Sequence, residues 1–524
     1  MEVVFFIAIG CFLLRAAPAL LKISPESSDH FFHLFFSEYI RKNRFRCPGP
    51  VPEFLLPGIY DYPPFFHYLM AVFPKRLREI IAPYMGGVID AVHTWIIYGF
   101  VLYLAAVPPF SSYLYDPIPC ATVAAVLFAT SPALLARSSG PRAYTLTTRP
   151  LGELLFTLYF FLLAIFLVEG DIVLLLCAAV VAAVLFLSSK FGLQVMVLFS
   201  LIAGVFLQNI PVLVLPLAGI LLAIIISGGH FVNVIRGSLL HSVFYYQVLQ
   251  KEHVTRTLGT VISDIRTIPC RFRYSTIREY TLAVGKILYN YPFFILITRN
   301  ILFLIIFTTC LLRSSVIGSS PVMVFLFLWL CSSIAGFILT VKKPLLFLGE
   351  AERYLEYSIS AQAVLFAVFF SSAPLIFFLL LGYHAFYYTA TIFLLFRVNP
   401  RRDPSHHDKK DLVAWMRAKI APGKKIQGIP GGGDLFEILY TTGLPVLYPP
   451  GNFTEFSKEE FAEIFERYPF PNRNLSFALA KYHIDILLVN KNSLKKAEKM
   501  DIRYALQDYR ILFENPTYTV YGVS

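Results

Sequence analysis

SDHFFHLFFSEYIRKNRFRCPGPVPEFLLPGIYDYPPFFHYL, residues 28–69, follows the first apolar segment of the chain. The stretch is too polar at chosen points to cross a bilayer and too aromatic to stay free in water. It is therefore expected to lie at the membrane surface and to hold Asp29, His33 and Asp61 there. Ser27 and Ser28 after Pro25 suit a helix start, and Phe31, Phe32, Leu34, Phe35, Phe36 and Ile40 make that helix strongly apolar. Asp29 and His33 stand four residues apart and are expected to share a face. After the prolines at 48, 50, 52 and 57, Pro63 and Pro64 fix an extended entry to a second surface helix running up to Pro74.

The rest of the composition points to a bilayer. Of 524 residues, 57% are hydrophobic and 15% charged, against about a quarter charged in soluble domains; the mean hydropathy is +0.64. A net charge of +12 without a compact basic module speaks for anionic lipid head groups or phosphates rather than nucleic acid. Seven scattered cysteines with no CxxC pair indicate neither a disulfide framework nor a zinc site. Residues 3–21 lack a convincing small-residue cleavage site and are read as a retained first span.

Spans of roughly 20 apolar residues fall near 3–22, 85–107, 118–136, 150–168, 171–188, 191–208, 211–227, 292–312, 321–341, 357–372 and 374–397. This predicts a polytopic α-helical membrane protein with about 11 transmembrane helices. Short turns at Glu169-Gly170-Asp171 and Gln208-Asn209-Ile210 make antiparallel hairpins of neighbouring spans. Numbered this way, the polar connections 23–84, 137–149, 188–190, 228–291 and 342–356 and the tail from about 400 all fall on one side. Two domains follow: a membrane module over 1–399, with 23–84 as its first external loop, and a small C-terminal soluble α/β domain over 400–524. The latter reads as helices at 408–420 and 433–442 and strands at 424–429, 484–489, 510–513 and 518–523. Its turn at Gly428–Asp434 lacks the GxGxxG spacing of dinucleotide sites and reads as a tight strand-to-helix connection. Segment 228–291 opens as an amphipathic helix from His230 and continues into a basic stretch holding Arg256, Arg266, Arg271, Arg273 and Arg278. It reads as an interfacial helix with a solvated linker, or as a loop covering a phosphate-bearing substrate.

An acidic residue just after the first span, a surface helix, then Asp61-Tyr62-Pro63-Pro64 with aromatic followers resembles the first external loop of the GT-C superfamily of glycosyltransferases. Protein O-mannosyltransferases, the aminoarabinose transferase of lipid A and the dolichol-pathway glucosyltransferases are its relatives. The match is at motif level only over about 25–85. His30 stands where a second acidic residue is usual, and the WWDYG-like signature of oligosaccharyltransferases is missing, which argues against transfer of a whole oligosaccharide.

The resemblance implies a polyprenyl-phosphate-linked sugar donor, a lipid, glycan or protein acceptor, and inverting transfer of a hexosyl or pentosyl unit with Asp29 as the base. His33, Asp61 and Tyr62 would shape the acceptor side. Arg149, Lys190 and Arg353 would hold the donor phosphate. Glu350, Glu352 and Tyr354, in a segment like the E-x-x-R-Y region of prokaryotic relatives, and Arg137 and Arg142 are further candidates. Snorkelling of these cations to the interface is the bland alternative. Relatives split on metal use, so a magnesium or manganese ion held by Asp29, His33 and Asp61 stays open. The resemblance places the loop-rich side and the C-terminal domain outside the cytoplasm, in a prokaryotic plasma membrane rather than the endoplasmic reticulum. The lysine and arginine count alone would place that side inside. The rival function is a transporter or lipid flippase, which the scarcity of interior charge in the spans argues against.

Overall fold

The computed structural model describes residues 2–23, 28–47, 49–56, 58–108, 110–114, 116–135, 145–244, 246, 291–341, 343–397, 404–432, 434–447 and 458–523. Arg137, Arg142 and the basic stretch from Arg256 to Arg278 lie outside the described residues. The chain divides into two compact units, one within Met1–Leu21, Pro83–Gly229 and Val254–Arg397, the other within Lys22–Ala82, His230–His253 and Val398–Ser524.

The first unit is helical. Among the described residues, six helices are long and apolar enough to cross a membrane: Glu2–Leu20, Lys75–Ala105, Pro117–Leu135, Arg149–Glu169, Pro321–Thr340 and Pro374–Phe396. Phe293–Arg299 and Ile301–Leu312 meet at 88° and make a seventh if counted as one span. The apolar helices Ile172–Phe186, Lys190–Phe206, Ile210–Ile226 and Ile359–Phe370 are shorter. The chain is thus a polytopic α-helical membrane protein. Its hairpins form where the sequence stops one helix and starts the next: Gly170 takes a left-handed φ of 69° after Glu169, and Asp171 accepts from the Val173 amide at 2.9 Å to open the following helix. Asn209 repeats the device, accepting from Val212 N at 3.1 Å. Small residues bring helices close: a Cβ at Gly219 would stand 2.7 Å from Ala182 Cβ, and one at Gly204 2.8 Å from Leu213 Cβ.

The spans carry more interior charge than the sequence led us to expect. Arg15, Asp90, His93, Glu153, Arg299 and His384 are all buried. Arg15 Nε donates to Asp90 Oδ2 at 2.9 Å, tying the first span to the second, and neither Nη of Arg15 meets a hydrogen-bond partner among the described residues. His93 Nε2 lies 3.0 Å from Ser360 Oγ, which is 2.9 Å from Thr157 Oγ1. His384 Nδ1 lies 2.9 Å from Thr130 Oγ1.

The second unit gathers the first loop, the helix His230–Phe244 and the C-terminal residues. Strands β1 (Ile426–Ile429), β2 (Phe465–Arg467), β3 (Phe470–Pro471), β4 (Ile486–Asn490), β5 (Arg510–Glu514) and β6 (Tyr518–Gly522) make a four-stranded sheet of order β1-β4-β6-β5 and a β2-β3 pair. β1 and β4 run parallel, whereas β4 with β6 and β5 with β6 run antiparallel. The glycine-rich turn leads from β1 into the helix Asp434–Thr442, and Lys409 reaches Asp434 at 3.1 Å.

The first loop is built into this unit. Val446 bridges Ile426 of β1 on one side and Phe54 on the other, Leu55 N donating to Val446 O at 3.1 Å and Val446 N to Glu53 O at 2.9 Å. Leu56 enters the core formed with Ile429, Leu447, Phe465 and Leu487. Phe436 packs on Phe32 and Phe54 with centroids 5.3 and 6.0 Å away. Sequence reading placed 23–84 with the membrane module; in the structure its residues from Lys22 to Ala82 cluster with the C-terminal residues instead.

Removing one partner of a fully buried ion pair typically costs about 3–5 kcal/mol. Asp90→Ala is therefore expected to lower the thermal midpoint of the detergent-solubilised protein well below that of wild type, with Asp90→Asn, which keeps an acceptor for Arg15 Nε, in between. Chromatographic thermostability profiles of the three proteins measure this; equal midpoints would show that the pair does not hold the first span.

Candidate functional site

In the second unit the surface helix Ser28–Lys42 carries Asp29 in its first turn, and the Asp29 side chain is exposed. His33, one turn on, is buried at 4% exposure. The two share a sequence periodicity but not an environment, because Phe66, Tyr62 and His67 cover the second turn and leave the first open.

His33 had no partner in the sequence reading. The structure supplies one: His33 Nδ1 lies 2.8 Å from His67 Nε2, and His67 Nδ1 lies 2.5 Å from the Tyr60 hydroxyl. This chain of three polar groups joins the first surface helix to the second, Phe65–Ala71. Arg41 reinforces the junction by donating to the carbonyls of Ala71 and Val72, both at 2.9 Å, at the negative end of that second helix. The buried Arg78 pairs with Glu38 from the next short helix, Lys75–Ile81.

Asp61 is buried beneath the helix His230–Phe244, where Gly237 meets its carboxylate so closely that no side chain would fit. The Tyr60 ring stacks on His230 at 5.4 Å and 15°. Tyr62 is half-buried and meets Phe32 edge-on at 5.2 Å. The amphipathic helix thus covers the Tyr60–Tyr62 element through His230 and Gly237 and buries Phe231 and Val234, while Leu239 and Val243, read from the sequence as part of the same apolar face, are exposed.

These placements decide the metal question for Asp29, His33 and Asp61. His33 spends Nδ1 on His67, Asp61 is packed under Gly237, and Asp29 stands exposed. Among the described residues no three His, Cys, Asp or Glu side chains group as a metal site. Among the described residues the ligand set left open for magnesium or manganese is not assembled.

A second cluster lies in the membrane unit. Three stretches far apart in sequence, 149–153, 189–191 and 349–357, converge. Arg149, followed by Pro150, starts the helix Arg149–Glu169, a position where proline is well tolerated. Glu350 Oε2 lies 2.8 Å from Arg353 Nε and 4.0 Å from Arg149 Nη2. The Arg353 guanidinium sits 5.4 Å from the centre of the Phe191 ring, a cation–π distance. Lys190, half-buried, begins the helix capped by Ser189, whose Oγ accepts from Gly192 N at 3.0 Å.

Close packing sets this geometry. A Cβ at Gly152 would stand 2.9 Å from Ser189 Oγ and 3.0 Å from the Tyr357 hydroxyl. Gly336 lies flush against the Tyr354 ring, and the buried Tyr354 donates its hydroxyl to Leu348 O at 3.0 Å. Glu352 is buried in the same turn. Arg149, Glu350 and Arg353 are brought together, with Lys190 one residue from the Phe191 that Arg353 faces. Sequence reading missed Phe191, Gly152, Gly336 and Tyr357, because ordinary apolar and small residues inside spans give no chemical signal. His67 was legible as an ionisable residue in an aromatic helix and was passed over.

No protein-family model matches the chain, and no curated protein does. Solved structures do. The oligosaccharyltransferase of Archaeoglobus fulgidus in complex with Zn and sulfate is similar over 99% of this chain and 72% of that one, with 12% identity and a TM-score of 0.57. The same archaeal enzyme, AglB, with an inhibitory peptide and a dolichol-phosphate covers 100% and 74%, again at 12% identity, with a TM-score of 0.56. ArnT from Cupriavidus metallidurans in the apo state aligns over 98% of both chains at 11% identity and a TM-score of 0.41. At 12% identity the likeness to the archaeal enzyme shows the fold alone.

Burial pushes the imidazole of His33 down to about 3, with a further push from neighbouring His30. It holds His30 at about 4 and His67 well below the ordinary value of 6.5. The unfolded chain therefore binds more protons than the folded one below pH 6.5, so the stability these residues contribute is complete above that value and declines as pH falls toward 3. Thermal midpoints measured from pH 7.5 to 4.5 are expected to fall steadily below pH 6.5 and to fall less in His33→Gln; parallel profiles would exclude His33 as a source of the acid sensitivity.

Proposed function

We propose that this protein is a membrane glycosyltransferase that moves a sugar from a polyprenyl-phosphate-linked donor to a hydroxyl acceptor. The observation that carries the reading is a GT-C fold matched over 99–100% of the chain by an oligosaccharyltransferase that has been solved with a dolichol-phosphate bound. The chemistry of the candidate residues supports it. Asp29 offers an exposed carboxylate on the surface helix that follows the first span, while Arg149, Lys190 and Arg353 offer cations in the membrane unit.

In this mechanism the acceptor hydroxyl gives its proton to Asp29 as its oxygen attacks the anomeric carbon of the donor sugar. The bond from that carbon to the phosphate oxygen breaks, its electrons leave with the polyprenyl phosphate, and the anomeric configuration inverts. Arg149, Lys190 and Arg353 neutralise the charge that grows on the departing phosphate. The transferred unit is a hexosyl or pentosyl group, and the acceptor is a lipid, a glycan or a protein. A peptide acceptor gains support from the archaeal enzyme tethered to an acceptor peptide, and the absence of a WWDYG-like signature favours a simpler unit than a whole oligosaccharide. Asp61, Tyr62 and His33 serve the acceptor side by shaping the covered element behind Asp29. The four shorter apolar helices cross the membrane along with the longer ones, giving the eleven spans read from the sequence. The loop-rich side and the C-terminal residues face outward from a prokaryotic plasma membrane.

The buried Arg15, Asp90, His93 and His384 favour a transporter as the second reading, since ionisable residues inside spans often line transport paths. The substitution Asp29→Asn separates the two. It is expected to reduce sugar transfer from a polyprenyl-phosphate donor by at least about a hundredfold, in keeping with loss of a general base, with expression and thermal midpoint near wild type. Full transfer activity in this variant would remove Asp29 as the base, and unchanged lipid or solute flux with no sugar transfer in wild type would establish the transporter.

A further inference from the structure

Glu350 occupies the position between the two arginines that a donor phosphate would need. Its Oε2 lies 2.8 Å from Arg353 Nε and 4.0 Å from Arg149 Nη2. An anionic ligand approaching both guanidiniums meets a carboxylate already there. Three acidic side chains act electrostatically on Arg353: Glu350, Glu356 and Glu352. Glu352 and Glu356 are buried, at 4% and 6% exposure, whereas the Glu350 side chain is 42% exposed. Only Glu350 of the three is able to swing into water without a large desolvation cost.

Glu350 follows a residue in a glycine-favoured backbone conformation. Gly349, immediately before it, has a φ of 114°, in a region that glycine enters readily and other residues do not. When Glu350 moves away, the Phe191 ring, 5.4 Å from the Arg353 guanidinium, stays beside that cation. We propose that Glu350 is an exchangeable counter-ion, a carboxylate that holds Arg149 and Arg353 in place while the site is empty and yields them to the phosphate of a polyprenyl-phosphate ligand. The inference rests on the reading of Arg149 and Arg353 as donor-phosphate residues, and it adds that the protein carries its own competitor for that phosphate. Glu350 then weakens binding of the spent carrier and speeds its departure.

The test is binding of undecaprenyl phosphate to the full-length protein in nanodiscs. Removing a partly exposed competing charge is worth up to about 1 kcal/mol, so Glu350→Gln and Glu350→Ala are expected to bind this lipid about fivefold more tightly than wild type. Arg149→Ala and Arg353→Ala are expected to bind it more weakly. In turnover, Glu350→Gln is expected to lower both KM for the donor and kcat, as slow product release requires. A carboxylate with a purely structural role would do the reverse, its removal loosening the arginines and weakening binding. Equal or weaker binding in both Glu350 variants, with weaker binding in the arginine variants, would overturn the counter-ion role alone. Unchanged binding in the arginine variants would overturn the donor-phosphate reading and the counter-ion role with it.

Discussion

A guanidinium taken out of water needs an anion or an aromatic face to go with it, and in this protein that need arranges much of what surrounds the candidate residues. Arg15 meets it with Asp90 inside the membrane unit, and the pair fixes the first span against the second. Arg78 meets it with Glu38 in the second unit, locking the short helix after the second surface helix to the first. Arg353 meets it with Glu350 and the Phe191 ring. The first two pairs are sealed by burial of the arginine, and nothing suggests that they exchange. The third differs in that its carboxylate reaches water. A charge pair with both members dry is fixed in place, whereas one with a wet member can exchange its partner, and this difference in exposure is what distinguishes Arg353 from Arg15.

The same economy of desolvation explains the histidines. His33 and His67 are too deep to hold a proton comfortably, so each stays neutral, and His67 turns one nitrogen to His33 and the other to the Tyr60 hydroxyl. Neutral imidazoles make a directional chain from His33 through His67 to Tyr60, and direction is what a junction between two short helices needs. Helices of 15 and 7 residues have little stability alone. Their rigidity comes from this chain, from the Arg41 contacts to Ala71 and Val72, and from the aromatic packing of Phe32, Phe36 and Tyr60. Asp29 stands on the exposed end of a helix secured one turn further along, an arrangement that leaves its carboxylate accessible while fixing its backbone.

The helical membrane architecture was legible because bilayer thickness writes itself into sequence as runs of apolar residues, and the hairpin turns were legible because Gly170, Asp171 and Asn209 stop and restart helices by local chemistry. Two strands of the C-terminal region showed as short, largely apolar runs, and β1 and β4 lie within two residues of where the sequence reading put them. What did not show was partnership at a distance. Nothing in the run from Glu53 to Leu56 announces that it bridges to Val446 and enters the core beside Ile429 and Leu487. The interior ion pair was passed over for a different reason: Arg15 looked like a break in an apolar segment, and Asp90 a lone acid in another, and each makes sense only when the other is seen against it.

The candidate phosphate residues show the same limit in sharper form. Arg149, Lys190, Glu350 and Arg353 stood out singly as polar residues at span ends, yet their sequence context could not say whether the acids and bases faced each other or a ligand. A carboxylate three residues from an arginine on a helix is ordinarily a modest local pair. It changes character here because the helix start at Arg149 brings a second guanidinium to the same oxygen, and because Gly152 and Gly336 let the helices that bear these residues close on Ser189 and Tyr354. Two cations sharing one half-exposed anion form a site whose positive charge is partly offset when empty. Such a site avoids the repulsion that two adjacent guanidiniums would otherwise suffer, and it also sets an upper bound on how tightly any phosphate is held. For the proposed transfer, in which a lipid phosphate is released after each turnover, a bounded affinity is an advantage, since interactions as strong with the product as with the transition state slow the cycle without lowering the barrier.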